Sequence, residues 1–377
     1  MIIAAMHEPA PETRVAITPT SVKQYIKMGF EVICEHNAGK LSGFSDNEYE
    51  EAGATITKTR ASLLKKANVI VCVNAPTRDN LVGLSSHALL ISPIESDQSS
   101  DLLAWCCEKN ISLFSMNHIP RISRAQNIDS LSSQANIAGY RAVIEGVGRF
   151  NRVVPMMMTA AGMIHPAKVL ILGAGVAGLQ AIATAKRLGA VVYAFDVRAA
   201  AKEQVQSLNA EFIEVGEAQD SETTGGYAKE ASADYQRLQA ELINKYARLA
   251  DIVICTALIP GKKAPVLITK RTVEQMKPGA IIIDLATARG GNCELSIRDK
   301  VVQHNQVTLI GESNMAGLVP ATASDLYATN LVNLLKILTT SPLKLHFNQE
   351  DDIIRQALLC HDGRSLPYQI TKEAQYG

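Results

Sequence analysis

An excess of charge of either sign is missing from this chain: Lys plus Arg number 37, Asp plus Glu number 37, and the formal net charge is zero. Without surplus positive charge there is no electrostatic footprint for a polyanion, which excludes nucleic acid and anionic lipid as partners held by bulk electrostatics. Aromatic residues are scarce as well, at 5% with a single Trp, too few for a base-stacking platform. Long apolar runs are absent. The longest weakly polar stretch, residues 153–164 (VVPMMMTAAGMI), has the length of a buried or interfacial segment and falls well short of the ~20 residues a membrane helix needs. The start, MIIAAM, lacks the charged opening of a signal peptide and reads as a first strand. The expectation is a soluble chain that stays in the cytoplasm. Seven scattered cysteines with no CxxC pair fit reduced thiols, and neither a disulfide framework nor a metal site is expected. Cys106 and Cys107, beside Trp105 on a helical stretch, read as small packing residues and not as a redox pair.

What is present is alternation. At 377 residues the chain is long enough for two domains. Short β-branched runs at 2–5, 31–34, 69–73, 89–92 and 111–114 are separated by helix-like segments. A second series follows at 169–172, 191–195, 212–215, 252–255, 281–285 and 307–310. Several runs are apolar on both faces, as a parallel sheet covered by helices requires. Two such series predict two doubly wound α/β domains. Apolar residues at helical spacing (Leu131, Ala135, Ala138, Val143, Val147) predict a connecting helix that begins near Asp129 or Ser130 as a cap. A second amphipathic stretch, residues 323–338, would return the chain to the first domain. The domains are therefore placed at 1–125 together with about 322–377, and at about 126–321.

The loop after the first strand, HEPAPETRVAIT, contains no glycine, so it offers no close backbone approach for a pyrophosphate. The second domain differs. Residues 168–198 read KVLILGAGVAGLQAIATAKRLGAVVYAFDVR, a strand, then Gly173-x-Gly175-x-x-Gly178, a helix, a second strand and Asp196. Gly173 permits the tight turn, Gly175 lets the backbone reach a pyrophosphate at the helix N-terminus, and Gly178 lets helix and strand pack closely. A lone glycine pattern is weak evidence. Here the elements flank it correctly and an acid follows 18 residues after the last glycine, which makes this a Rossmann-like dinucleotide unit. A carboxylate at Asp196 accepts hydrogen bonds from ribose hydroxyls and repels the 2′-phosphate of NADP, so NAD(H) is favoured. Arg198 is a counter-signal for phosphate, or else a solvated surface charge.

Between the runs ending at Val215 and starting at Ile252 lie 36 residues, more than one crossover helix needs. Their polar first part carries Gly225 and Gly226 before Tyr227. Glycines beside an aromatic are consistent with a lid over a ligand, and equally with a plain surface loop.

With these residues placed, nearly the whole chain resembles the NAD(H)-binding domain I of the α subunit of proton-translocating NAD(P) transhydrogenase. The resemblance rests on VNAPTRDN at Val73, PRISRAQNIDSLSSQANIAGYRA at Pro120, GAGVAGLQAIATAKRLGA at Gly173, GGYAKE at Gly225, TALIPGK at Thr256 and GGNCE at Gly290. It implies two Rossmann-like domains joined by long helices, a homodimer, and NAD(H) held in the cleft between domains. It further implies that the segment with Arg121, Ile122, Ser123, Arg124, Gln126, Asp129 and Ser132 lies near the nicotinamide. By the same resemblance Gly226 and Tyr227 belong to a closing lid, and Gly173, Gly175, Val176, Ala177, Gly178, Asp196, Val197, Arg198, Gln239 and Leu258 line the cofactor site. The partners implied are an NADP(H)-binding β subunit and a membrane-spanning α subunit, with this chain peripheral on the cytoplasmic face of the inner membrane.

Alanine dehydrogenase shares the fold and is the nearest competitor. An amino-acid dehydrogenase needs a cation for the substrate carboxylate and a general acid/base near the ring. Its family has a lysine in a KEP string and a histidine after the next strand. This chain reads Asn74-Ala75-Pro76 and then LLISPI from Leu89, while His87 precedes that strand. Hydride transfer between two nicotinamides exchanges no proton with a side chain, and relies on positioning and exclusion of water. Three departures from the resembled family stand at Ala288, Lys263 and Leu318, which touch local details of the cleft and of the subunit contact.

Overall fold

A computed structural model of the chain describes residues 1–95, 100–215, 233–259 and 262–366. It divides into two units, residues 1–134 with the stretch from Ala316 onward, and residues 135–315. The first crossing falls inside a helix, later than residue 126, and the return crossing falls at Met315, earlier than residue 322.

In chain order the strands are β1 (Ile2–Ala5), β2 (Glu31–Glu35), β3 (Thr55–Thr57), β4 (Val69–Val71), β5 (Leu89–Ser92), β6 (Ser112–Ser115), β7 (Met157–Thr159), β8 (Gly162–Ile164), β9 (Lys168–Leu172) and β10 (Val191–Phe195). They continue as β11 (Glu211–Phe212), β12 (Ile252–Cys255), β13 (Ile281–Asp284), β14 (Val301–His304), β15 (Val307–Ile310), β16 (Thr339–Thr340), β17 (Lys344–Leu345), β18 (Leu358–His361) and β19 (Arg364–Ser365).

The first unit is built on an eight-stranded sheet of order β19-β18-β6-β5-β4-β1-β2-β3. It is parallel from β3 to β6, and β18 and β19 extend it antiparallel. Alternate strand residues face opposite layers. Ile3, Ala5, Val69, Leu89, Ile91 and Phe114 pack with Tyr327, Leu331 and Leu335 of the helix Pro320–Leu338. Ala4, Ile33, Ile70, Leu90 and Leu113 pack on the other side with Leu63 and Leu64. The expected returning helix is thus a core element of this unit. Thr18 and Ser45 cap the two short helices Pro19–Lys27 and Asp46–Glu51, and the backbone N–H of each donates in return to the side chain of the third helical residue, Ser21 or Glu48.

The second unit has a seven-stranded sheet of order β11-β10-β9-β12-β13-β15-β14, parallel except for β14. Val169, Ile171, Ile254 and Ile283 face one layer with Ala142, Val143, Ile182 and Ala185. Leu170, Leu172, Val253 and Ile282 face the other with Ile243, Ala247 and Val273. Strand order reverses between β9 and β12, whose carboxyl ends are where ligands sit in open α/β sheets.

Several expected ends shift. The run 212–215 pairs only at Glu211–Phe212, and β4 stops at Val71. Residues 153–164 are not a buried segment: they turn back as the hairpin β7–β8, with Met158 74% and Met163 49% exposed. Two three-residue strands have no covering layer of their own, so their apolar side chains stay outside. β19, two residues long, and the edge strand β14, exposed on alternate residues, leave little trace in the sequence, and β18 follows directly on the helix Asp352–Ala357 with no turn residue to mark its start.

Candidate functional site

The dinucleotide loop of the second unit forms as its residues require. Gly173 has φ +100°, and a Cβ there would lie 2.6 Å from Thr256 Oγ1. Gly178 sits in the first turn of the helix Val176–Arg187, where a Cβ would lie 1.9 Å from the Gly173 carbonyl oxygen. At Gly175, the helix N-cap, nothing lies within 4 Å of the Cβ position. The loop is therefore closed against protein at two glycines and open at the third, which is the cradle a pyrophosphate needs. Val176, 42% exposed, begins the helix at that open end.

The connecting helix Ser130–Arg149 buttresses this loop from within the same unit. A Cβ on Gly139 would meet the Ala177 carbonyl oxygen at 2.0 Å, so only glycine lets the two helices approach there. Thr256 Oγ1, just beyond β12, donates to the Gly173 carbonyl at 3.0 Å. Asn292, fully buried, accepts from Ala257 N at 3.0 Å and donates to the Ala257 and Pro265 carbonyls at 2.9 and 2.8 Å. It fixes the loop that presents Leu258, 48% exposed, at the same end of the sheet. Asp284, also fully buried, accepts from Ala286 N and Cys293 N and shapes the next loop. Sequence reasoning missed Asn292 and Asp284 as scaffold residues; Asn292 lies in the GGNCE string, and Asp284 is the one charged residue in the apolar run of β13.

Asp196 stands at the end of β10. Its carboxylate accepts from Ala174 N at 2.7 Å, and from Arg198 N, Nε and Nη2 at 2.9 Å each. Arg198 is thus no solvated surface charge. It folds back on Asp196, with side-chain exposures of 23% and 6%. Four donors fill the roughly four acceptor positions of a carboxylate, so a ribose hydroxyl must share or replace a guanidinium bond. Val197 is half-buried against the core, and Gln239 is half-buried on the helix Ala233–Leu249. Gly226 and Tyr227 lie outside the described residues, so the lid is not placed.

The first unit carries the other set. Arg121, Ser123, Arg124 and Gln126 are exposed and Ile122 half-buried, around the short 3-10 helix Ser123–Ile128. Asp129 accepts from Ser132 N at 2.9 Å and from Ser132 Oγ at 2.5 Å, so it caps the helix Ser130–Arg149 and holds Ser132. Arg124 is engaged elsewhere, in a two-pronged pair with Asp351 at 2.7 and 2.6 Å.

At the carboxyl ends of β1 and β4 the glycine-free loop places an acidic pair. Glu12, 5% exposed, accepts from Arg14 Nε and Nη2 at 2.8 Å each and from Asn74 Nδ2 at 2.9 Å. Arg14 Nη1 donates to Gln134 Oε1 at 2.8 Å. Burial acts to raise the Glu12 pKa, but the Arg14 guanidinium outweighs it and holds the group at about 2. Glu8, 7% exposed, accepts from Val73 N at 2.6 Å, and burial pushes its pKa up to about 7. The arginine of this loop is therefore already neutralised by a carboxylate. His87 sits in the turn before β5 with φ +62°, as a loop histidine.

Of the departures, Lys263 lays its methylenes over Gly290, where a Cβ would meet its Cε at 2.7 Å. Ala288 is exposed, and Leu318 is 39% exposed at the end of a short 3-10 turn.

Comparison with known proteins follows the same division. The family model described as Alanine dehydrogenase/PNT, N-terminal domain, matches residues 5–138, and its C-terminal counterpart matches residues 142–367. The chain is 47% identical over 358 residues to NAD(P) transhydrogenase subunit alpha of Cereibacter sphaeroides, covering 93% of this chain and 68% of that one. It is 46% identical to a shorter NAD(P) transhydrogenase subunit alpha chain of Rhodospirillum rubrum, covering 96% and 97%. The crystal structure of a transhydrogenase from Sinorhizobium meliloti superposes with a TM-score of 0.88 at 43% identity, over 97% of this chain and all of the other. Alanine dehydrogenase of Bacillus subtilis is more distant, 28% identical over 83% of this chain and 79% of its own length.

Proposed function

The chain belongs to the alanine dehydrogenase/PNT family, with NAD(P) transhydrogenase α subunits among its relatives, and from that premise we propose that it is the NAD(H)-binding peripheral subunit of a proton-translocating transhydrogenase. In this reading NADH bound here gives its hydride directly to NADP⁺ on a partner β subunit. Proton movement is coupled in separate membrane-spanning subunits; among the described residues no helix is long and apolar enough to cross a membrane. The chain would sit on the cytoplasmic face of the inner membrane through those partners. It would act as a homodimer, for which the exposed Met-rich hairpin β7–β8 offers an apolar surface to a second copy.

The observation that carries the proposal is the contrast between the loops that follow β1 in the first unit and β9 in the second. The second unit has the open cradle at Gly175 and the carboxylate of Asp196 for a ribose. The first unit has Arg14 committed to Glu12, and Asn74 donating to the same carboxylate. A substrate carboxylate brought to Arg14 would have to displace a buried acid. No general acid/base stands in the Leu89-to-Ile94 segment, which weighs against an alanine-dehydrogenase-like enzyme acting alone. Gly173, Gly175, Val176, Ala177 and Gly178 would hold the pyrophosphate, Asp196, Val197 and Arg198 the adenosine ribose, and Gln239 and Leu258 the flanks. Arg121, Gln126, Asp129 and Ser132 would position the nicotinamide, with Asp129 fixing Ser132 for that purpose. Gly226 and Tyr227 would close over it. Catalysis then lies in orientation and exclusion of water.

The test is reconstitution. The purified chain mixed with the NADP-binding component should transfer hydride from NADPH to an NAD analogue, while the chain alone binds NADH and turns nothing over. Absence of transfer at saturating protein would defeat the proposal, and NAD reduction by L-alanine without a partner would establish the competing one.

A further inference from the structure

All seven cysteines are free thiols, and six of them are buried; Cys107 alone is partly exposed. Cys107 lies near the end of the helix Ser100–Glu108, and Cys360 lies on β18 of the same unit. Their sulfur atoms stand 2.9 Å apart across 253 residues of sequence. Two sulfurs this close are inside ordinary nonbonded contact and within about 1 Å of the ~2.05 Å of a disulfide. Cys106, its neighbour in sequence, is fully buried in the apolar layer under β5 and β6. The adjacent pair thus divides its roles: Cys106 is a packing residue, and Cys107 faces a partner that no local pattern announces.

We propose that Cys107 and Cys360 form a reversible dithiol–disulfide site whose oxidant is a low-molecular-weight disulfide of the glutathione class. Exposure sets the order of events, because a small disulfide in solution reaches Cys107 and not Cys360. The Cys107 thiolate attacks one sulfur of the reagent, a mixed disulfide forms, and one small thiol leaves. Cys360 then loses its proton to water and attacks Cys107 Sγ, and the second small thiol leaves with the electron pair of the mixed disulfide. Two protein thiols and one small disulfide become one protein disulfide and two small thiols. Burial raises the Cys360 thiol well above its ordinary range, and the contact with Cys107 adds to the effect, so closure is the slower step and quickens with pH. In a reducing compartment such pairs are transient and redox-sensing.

The bond would fasten the irregular edge of the sheet. β18 meets β6 with an irregular register between Leu358 and Cys360, and β19 pairs only with β18. Crosslinking it to the helix Ser100–Glu108 closes a loop through most of the chain, which removes much freedom from the unfolded state. The redox state of the surrounding thiol pool would then set how firmly the C-terminal hairpin stays on the sheet.

The experiment treats the purified full-length chain with oxidised glutathione and then with a dithiol reductant. Intact mass should fall by about 2 Da and recover on reduction, peptide mapping should join Cys107 to Cys360, and the thermal midpoint should rise by roughly 5 °C or more in the oxidised form. Cys360→Ser should stop at a glutathione adduct on Cys107, Cys107→Ser should take up no reagent while folded, and Cys106→Ala should still form the crosslink. Wild-type protein that keeps seven alkylatable thiols after oxidation overturns the proposal, whatever the variants do. So does a crosslink that maps to Cys106.

Discussion

Arg198 wraps the carboxylate of Asp196 with its own backbone N–H and two guanidinium nitrogens, all at 2.9 Å. A group that reads in the sequence as a counter-signal for a 2′-phosphate is thereby held by the acid proposed to exclude that phosphate. Asp196→Ala removes the proposed ribose acceptor together with three hydrogen bonds that hold Arg198. The expected result is a rise of roughly 10- to 100-fold in the NADH dissociation constant, the loss of one charged hydrogen-bond acceptor. NADPH should lose far less, or gain, because the negative charge that opposes its phosphate is gone while the positive charge of Arg198 stays beside it. Titration of intrinsic nucleotide fluorescence checks both, and an unchanged ratio between the two nucleotides would remove Asp196 from cofactor choice.

Gly178→Ala asks whether the close approach of helix and loop is needed. The new methyl would sit 1.9 Å from the Gly173 carbonyl oxygen and 3.3 Å from Thr256 Oγ1, and backbone must move to relieve it. The helix start then shifts away from the loop, so NADH binding should drop by at least about tenfold while the far-ultraviolet circular dichroism stays native. Gly175→Ala is the contrast: its Cβ meets no protein atom, so the protein should be as stable as wild type and bind NADH poorly, through a clash with the ligand itself. Wild-type affinity in both variants would place the pyrophosphate elsewhere.

These loops were legible because their demands are local. A strand of β-branched residues, three glycines and an acid at a set interval all lie within residues 168–198, and β1, β5, β10, β12 and β15 keep the limits their apolar runs announce. Asp129 and Ser130 both stood as candidate caps before a helical stripe, and the structure gives the capping bonds to Asp129. What stayed hidden depends on residues far apart. Nothing in the neighbourhood of Asn292 says that it will bond Ala257, 35 positions earlier, and nothing near Cys107 points to Cys360. Nothing in the HEPAPETRVAIT string singles out Arg14, whose meaning comes from Glu12 and from Asn74, which joins only after β4 is laid beside β1. Periodicity reports which face is buried; it does not report which polar groups meet inside.

Arg14→Met tests the buried pair. It takes the Arg14 guanidinium away from Glu12, 5% exposed, and leaves the Asn74 amide on the carboxylate; breaking a buried ion pair by removing one partner costs about 3–5 kcal/mol. Urea unfolding near neutral pH should lose that amount for the first unit, and Glu12→Gln combined with Arg14→Met should recover part of it. The same pair dominates the acid limb. Glu12 is held at about 2 against an ordinary 4.5, so the stability it contributes is present above pH ~4.5 and is lost as pH falls toward 2. If Arg14→Met unfolds at the wild-type urea concentration, the pair adds nothing and Arg14 is available for other anions.

Glu8 works in the opposite direction, and the sign decides the test. Burial lifts its pKa to about 7 from 4.5, with the nearby Glu12 adding to the rise and the Val73 N–H and Arg14 opposing it. The folded state therefore holds a proton between those two values that the unfolded state has already released. Stability from this group is greatest below pH ~4.5, declines as pH rises toward 7, and is flat above; the full span is about 3 kcal/mol. Glu8→Gln stays neutral throughout and keeps an oxygen for the Val73 N–H. The difference between variant and wild type, measured by urea unfolding, should be near zero around pH ~4.5 and should grow in favour of the variant up to about pH 8. Taking the difference matters, since Glu12 and the other carboxylates contribute equally to both proteins and cancel. A variant uniformly less stable than wild type, with no dependence on pH, would mean that Glu8 is ionised in the fold at every pH and that its carboxylate is needed as such.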